Sequence, residues 1–584
     1  MVNHMSNSEI KTNPFIPTIL IPKGFSLGGS GLVAILIFGF LASFLFVPVL
    51  SVMQGAFTTH EGSITLQHFL GFFQQTLMRE SFVNSFLVSI LSVLFASLIA
   101  IPLAYFTVRF EFRGGILIQT LGVLPLIMPP FVGAVAMQLL FGKNGSLNTL
   151  LDQYFGFKVP IMEGLTAVVF VESIHYFPFI LMNLTNSLRN IDGAMEEAAL
   201  NLGAKGFRLF WRVVFPLAMP GFVAGASLVF IKVFDDLGTP LVLGTTNMLA
   251  PQAYLRITSV GLDDPVGYVI GVIMILFSIF SLWLSIQVMK GKEYATTQKG
   301  GGALQRRKLR TWESFLAYGW IFIVLAIVLS PHLGIFLLSI AEVWSFSPLP
   351  DAYTFRHYAT IFTESGEMIY NTLLYCGLAA GIDVVIGTGI AYILLRTRIP
   401  GRQWLDFGAS AALAIPGVVL AIGYLRTFQG VNLPFSDSPI TQTWVLIMIA
   451  YAIRRLPYAL RSCVAALQQI SSSLEEAAES LGATKSRTVR RVVLPLMIGG
   501  ILAGFVASFI TAAVELSATI LLTSAESDAP LSYGIYLYMQ SISGRGPGAA
   551  LGVLTVVIVA IGTFLSNWLL TRNSSSKFNE ISEK

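Results

Sequence analysis

Apolar stretches of about twenty residues, long enough to cross a bilayer core as helices, recur along this chain between short polar interruptions. In the first half they begin near Gly31, Phe82, Gly115, Leu165, Ala218 and Val266. In the second half they begin near Ser314, Tyr370, Trp404, Thr441, Met497 and Ala549. Twelve such stretches predict an all-α polytopic membrane protein. Composition agrees: of 584 residues, 54% are hydrophobic and only 11% charged, where a soluble domain carries about 25% charged residues. Cys376 and Cys463 both lie in apolar stretches, so no disulfide framework or cysteine metal site is implied.

The charge matters by location. Between the halves lie Lys290, Lys292, Lys299, Arg306, Arg307, Lys308 and Arg310, against the single acid Glu293 and interrupted by Gly300, Gly301 and Gly302. The positive-inside rule marks this as a cytoplasmic linker. Arg109 and Arg113, Arg396 and Arg398, and the basic segments near 205–212 and 485–491 fall on the same side. Both termini are then cytoplasmic. The organisation expected is a cytoplasmic lead over 1–30, a six-helix unit over 31–290, the linker over 291–312, a second six-helix unit over 313–571 and a tail over 572–584. The lead carries Pro14, Pro17 and Pro22 and shows no small-residue cleavage pattern after the first apolar run.

The two halves repeat. Asn84, Ala104, Tyr105, Arg109, Gly114 and Pro129 recur as Asn371, Ala391, Tyr392, Arg396, Gly401 and Pro416, all displaced by 287. Pro178, Glu197, Gly203 and Pro216 recur as Pro457, Glu476, Gly482 and Pro495, displaced by 279. The second copy therefore loses eight residues between Pro416 and Pro457, placed by expectation in an outer loop. Same-sense duplication describes a parallel repeat, each half forming one wall of a central pathway.

A patterned loop falls between the fourth and fifth stretches of each half. The first runs Glu196-Glu197-Ala198-Ala199, then Gly203, then a basic segment with Lys205, Arg208 and Arg212, then Pro216. The second runs Glu475-Glu476-Ala477-Ala478, then Gly482, then Lys485, Arg487, Arg490 and Arg491, then Pro495. Asp192, and Ser472 or Ser473, can cap a helix whose first turn holds the glutamates, where the helix dipole favours acids. The paired alanines leave a face that another surface can approach closely. Gly203 and Gly482 suit a break from which a second short helix leaves at an angle, and the prolines suit the first turn of the next span. An interfacial amphipathic helix is the plain alternative; two copies with identical Gly and Pro spacing weigh against it.

This pattern resembles the EAA loop of binding-protein-dependent ABC import permeases, with Phe215 in place of the usual Leu. The resemblance covers nearly all of both halves, leaving out the lead, the linker and the tail. It implies the type I ABC importer permease fold in a bacterial inner membrane. It also implies a coupling helix in each half docking on a homodimer of cytoplasmic ATPase subunits, with a periplasmic substrate-binding protein on the other face. The coupling residues it implies are Glu196, Glu197, Ala198, Ala199, Gly203, Pro216, Glu475, Glu476, Ala477, Ala478, Gly482 and Pro495. No Gly-x-x-x-x-Gly-Lys-Ser/Thr phosphate loop is present, so ATP and Mg²⁺ belong to the partner and no cofactor, nucleic acid or enzymatic activity is expected of this chain.

Ionisable groups within apolar stretches are costly and face cavities or each other. His175, Asp235, Asp236, Arg454, Arg455 and Glu515 are the candidates for a translocation pathway or gate, with Lys232 nearby. Arg454 or Arg455 can pair with Glu515, as packing or as a gate. Asp383 is expected to be satisfied by a neighbouring helix. Glu172 and His175 have the one-face spacing of a metal-ligand pair. The second half does not repeat it, so a packed polar pair is expected, and neither a catalytic constellation nor a metal site. The fused double permease, with Arg454 to Tyr458 and the Glu515-Leu516-Ser517-Ala518-Thr519 tail, looks like the ferric-iron importer branch; similar permeases carry thiamine, 2-aminoethylphosphonate, sulfate or polyamines. An ion-coupled secondary transporter using Asp235, Asp236 and Glu515, or a membrane scaffold, are the readings from other classes.

Overall fold

A computed structural model describes residues 29–582, apart from 60, 112–113, 291–307, 345–346, 435–436 and 542. Residues 1–28 of the expected lead over 1–30 and most of the basic linker therefore lie outside the described residues. In the first half we number α1 (Gly29–Phe57), α2 (Thr76–Arg109), α3 (Pro130–Phe141), α4 (Gly164–Arg189), α5 (Gly193–Asn201), α6 (Gly206–Asp235), α7 (Leu249–Ser259) and α8 (Pro265–Met289). The second half repeats the order as α9 (Thr311–Ile340), α10 (Gly366–Arg396), α11 (Gly417–Thr427), α12 (Trp444–Gln468), α13 (Ser472–Ser480), α14 (Lys485–Ala513), α15 (Leu531–Met539) and α16 (Arg545–Ser582). Each helix of the first half thus has its counterpart eight labels on. The expected tail at 572 is no boundary, because α16 runs on through it.

Among the described residues, nine helices are long and apolar enough to cross a membrane unbroken. Two of the expected spans are bent instead. Leu117–Ile127 meets the helix after Pro129 at 102°, and Arg402–Ala414 meets the helix after Pro416 at 110°. Proline has no N–H to donate and pushes the preceding residue out of the helical region. Met128 and Ile415 are accordingly extended, at ψ 140° and 117°. The twelfth expected span is α12, 25 residues long, which carries Arg454, Arg455 and Arg461 within it.

The eight-residue difference falls between α3 and α4, within the interval that the displacements bracket. The first half inserts a helix, Ser146–Phe155, fastened by Asn148, whose side chain bonds the carbonyls of Gly142 and Val159 at 2.9 Å each.

Proline also explains the π-turns. Ala42–Phe46, Phe210–Val214 and Val489–Val493 each precede a proline by two residues: Pro48, Pro216 and Pro495. Widening the turn there carries the chain past a ring that would clash with the carbonyl four residues back. The helix therefore continues, which corrects an expectation. The basic segment after each loop glycine does not leave as a separate helix; it is the first part of α6 or α14.

Within each half, α4 packs between α2 and α6, as α12 packs between α10 and α14. Lipid tails are as apolar as leucine, so close packing of small residues holds such helices together. The buried face of α2 is built from Ser81, Ser85, Ser89, Ser92, Ala96 and Ala100. A side chain at Gly225 would sit 2.6 Å from Ile180 Cα, and one at the matching Gly504 would sit 3.1 Å from Ala459 Cα.

The halves also interlock. α1 lies against α10 and α11 of the other half, and α9 lies against α3. Tyr424 donates its hydroxyl to the Phe44 carbonyl at 2.7 Å across that seam.

Candidate functional site

Two features recur with the duplication or join its halves. The first is the pair of elbows, α5 and α13. Asp192 caps α5 as expected, accepting the Ala194 N–H at 3.0 Å. The cap of α13 is Ser471 rather than Ser472 or Ser473, with Oγ accepting the Ser473 N–H at 3.3 Å.

Each elbow ends on its glycine in the left-handed region, Gly203 at φ 86° and Gly482 at φ 85°. The closing bonds match: Ala204 N to Ala199 O and Ala483 N to Ala478 O, both 3.0 Å. This is the Schellman geometry that stops a helix and satisfies its last carbonyls.

The glutamate pairs split in orientation. Glu196 forms an ion pair with Arg109, the last residue of α2. Glu475 Oε1 accepts from Arg396 Nε at 2.5 Å, and Arg396 also donates to the Ile470 carbonyl at 2.5 Å. One arginine at the end of the second helix thus ties down the elbow in each half. Partial burial raises the pKa of Glu196, which Arg109 offsets only in part.

Glu197, Ala198, Glu476 and Ala477 face outward, while Ala199 and Ala478 are half-buried. The most exposed apolar side chains of the elbows are Leu202 and Leu481, at 89% and 90%. Sequence reading missed these leucines and the anchoring role of Arg109 and Arg396. The shared displacement of 287 between the arginines was the available signal.

The second feature is a buried ion-pair cluster. Arg454, near the middle of α12, donates from Nη2 to Asp235 Oδ2 of the first half at 2.7 Å. Its Nη1 lies 2.5 Å from Glu515 Oε2, which Arg455 also contacts. The remaining carboxylate oxygens are used too. Asp235 Oδ1 accepts the Gly417 N–H at 2.9 Å, and Glu515 Oε1 accepts the Ala518 N–H at 3.0 Å. All four side chains are buried.

Gly417 belongs to this arrangement and was missed, since a side chain there would come within 2.3 Å of Arg454 Nη1. Pro416 sets the bend, and the next residue must admit the guanidinium against its backbone.

The other candidates stand apart. Asp236 turns to the backbone, accepting from Gly238 and Thr239 N–H at 3.2 Å each, at the expected break after α6. His175 is buried beside Tyr176, with ring centroids 4.6 Å apart. Glu172 does not form the expected polar pair with it, for neither carboxylate oxygen has a hydrogen-bond partner. Asp383 accepts from the Ser508 hydroxyl on one oxygen only. Among the described residues no three His, Cys, Asp or Glu side chains group as a metal site.

The cluster holds no activated nucleophile. Chemically it is a clasp between the two halves, made of charges too costly to leave apart at membrane depth.

Comparison with known proteins agrees with the duplication. The Ferric transport system permease protein FbpB of Actinobacillus pleuropneumoniae is 28% identical over 517 residues, 86% of this chain and 72% of that protein. The Putative ferric transport system permease protein FbpB 1 of Haemophilus influenzae is 26% identical over 498 residues, 83% of this chain and 76% of that protein. A solved structure, a bacterial ABC transporter involved in the import of the acidic polysaccharide alginate, aligns with TM-score 0.36 at 19% identity, over 45% of this chain and 96% of that chain. Residues 92–289 and 383–575 each match the binding-protein-dependent transport system inner membrane component family. Two copies of that domain, together spanning more than half of the sequence, make this chain a member of the family: a multi-pass permease subunit of an ABC importer.

Proposed function

We propose that this permease carries ferric iron, handed over by a binding protein on the outer face and driven by two copies of an ATPase on the inner face. The observation that carries the cargo is similarity to two ferric transport permeases along more than four fifths of the chain. In this reading both termini and the elbows are cytoplasmic. The two permease repeats are residues 31–290 and the segment from 313 through α16, joined by the basic linker 291–312 and preceded by the lead 1–30.

The elbows take the ATPase. Leu202 and Leu481 are the apolar tips offered to it, with Glu197, Ala198, Glu476 and Ala477 around them, while Arg109 and Arg396 carry the motion into α2 and α10. ATP binding draws the elbows together and rocks the halves outward. The Asp235–Arg454 clasp must part as the pathway changes face, and it reforms when the transporter resets.

The test is ⁵⁵Fe³⁺ uptake into proteoliposomes holding this chain, its ATPase and its binding protein. ATP-dependent uptake, unaffected by excess thiamine, sulfate, 2-aminoethylphosphonate or spermidine, is expected. Uptake of one of those solutes instead of iron sinks the cargo assignment. Accumulation by this chain alone on an ion gradient sinks the mechanism.

A further inference from the structure

α9 begins at the end of the bundle where α2 stops beside the first elbow. Between these two helices lies an apolar groove of about 440 Å³, with Pro102, Phe106 and Phe110 on one wall and Trp312, Leu316 and Trp320 on the other. The rings of Phe106 and Phe110 stand 5.7 Å apart, centroid to centroid. Trp312 and Leu316 are 61% and 60% exposed, so the groove opens outward, to the lipid side of the bundle.

The duplicated half shows that the fold does not require this groove. Pro102, Phe106 and Phe110 match Gly389, Ile393 and Thr397, 287 further on. There α1 packs straight down on α10. A side chain at Gly389 would come within 3.0 Å of Ile37 Cδ1 and 3.6 Å of Val33 Cγ1. Small residues admit close helix approach, whereas a proline ring and two phenylalanines stand in that place on α2.

The mouth of the groove is basic. Arg306-Arg307-Lys308-Leu309-Arg310 leads into α9, and Lys308 and Arg310 are exposed. Lys308 stands 3.9 Å from Glu111, with 85% and 50% of the two side chains exposed. That is beyond hydrogen-bond length and leaves the ammonium open to a second anion. Glu313, the acid on the groove wall, accepts the Arg310 N–H at 2.9 Å.

We propose that the cleft between α2 and α9 binds an anionic diacyl phospholipid, with its phosphate against Lys308 and Arg310 and an acyl chain along Phe106, Trp312 and Trp320. Tryptophan sits at the level of the headgroups, and basic pockets between spans take acidic ones. The segments outside the described residues fit the groove less well. Residues 291–307 are mostly Gly, Lys, Thr, Gln and Arg, with little apolar surface to fill it. The lead joins α1, whose Val33 and Ile37 lie against α10 and not α9. Arg109, which holds Glu196 of the first elbow, lies between Phe106 and Phe110, so the lipid stands against the helix end that carries that elbow. The site requires no particular cargo, because it rests on these walls and charges and not on the ferric relatives.

The test uses the full-length protein in nanodiscs of phosphatidylcholine with added phosphatidylglycerol, and native mass spectrometry of the lipid that stays bound on release. Wild type is expected to retain phosphatidylglycerol in preference to phosphatidylcholine. The double variant Lys308→Gln with Arg310→Gln should weaken that retention by about 10-fold or more, and Trp312→Ala should weaken it too. A photoreactive benzophenone side chain at position 316 should crosslink to phospholipid. Equal retention of the two lipids, unchanged in the double variant, means ordinary boundary lipid and overturns the proposal. So does a crosslink from position 316 to residues 1–28 or 291–307 of the chain itself. The double variant changes only exposed side chains, so it keeps the question decidable if Trp312→Ala does not fold.

Discussion

Asp235 at the end of α6 and Arg454 in the middle of α12 meet at 2.7 Å, joining the first half of the chain to the second inside the membrane-spanning bundle. The same guanidinium is held by Glu515 of its own half. Asp235→Asn keeps the shape and removes the cross-half charge. Removing one partner of a buried pair costs about 3–5 kcal/mol. The expected result is a lower unfolding temperature in nanodiscs and ATP hydrolysis no longer tied to uptake. Unchanged coupling and unchanged unfolding would show that the contact is dispensable.

Glu515 takes both arginines and the Ala518 N–H. Glu515→Gln retains the backbone bond and leaves two guanidinium groups with one acid between them. Uptake should fall severely while the ATPase still copurifies, because the elbows are untouched. Normal uptake by this variant would remove the clasp from the mechanism.

Gly417→Ala tests the same cluster from the backbone side. The added carbon would stand 2.3 Å from Arg454 Nη1, so the arginine must move. The expected phenotype resembles that of Asp235→Asn, and combining the two should add little, as for residues acting through one contact. Full additivity in uptake would place Gly417 elsewhere in the mechanism.

The elbow glycines are a different case. Side chains at Gly203 and Gly482 would meet open space, so Gly→Ala there costs only the left-handed backbone, about 1–2 kcal/mol. ATPase binding to the permease, measured by surface plasmon resonance, should weaken in each single variant. Asparagine, which tolerates that conformation, should restore most of it.

The first elbow should also respond to pH. Because burial raises the Glu196 pKa, the folded chain keeps this proton to higher pH than the unfolded chain does. Across that window the folded state binds more protons, so the group's contribution to stability falls as pH rises and levels off above the raised value. Protonation comes at higher pH than for an ordinary glutamate and removes the charge that Arg109 pairs with, so the link from elbow to α2 weakens even as the cost of burying that charge is relieved. Permease-stimulated ATP hydrolysis should drop on mild acidification in wild type and be flatter, and lower, in Glu196→Gln.

Much of this protein was legible in one dimension. Twenty-residue apolar runs predict spans because an unpaired backbone cannot sit in lipid. The repeated Gly203 and Gly482, with Pro216 and Pro495, predicted the elbows because left-handed turns and missing N–H groups are local properties of the residues themselves. The same locality explains why Pro129 and Pro416 were available signals for the two bends.

What sequence left open is whatever depends on the direction of a side chain or the meeting of distant elements. Spacing could not say that Glu196 and Glu475 turn inward to Arg109 and Arg396 while Glu197 and Glu476 turn out, since adjacent residues on a helix differ by about 100°. Nor could it say that Arg454 bridges to Asp235, 219 residues earlier, rather than pairing only within its own half. That choice was made by the interlocking of the halves, which brings the break after α6 against the bend before α11. There two buried charges from separate halves satisfy each other.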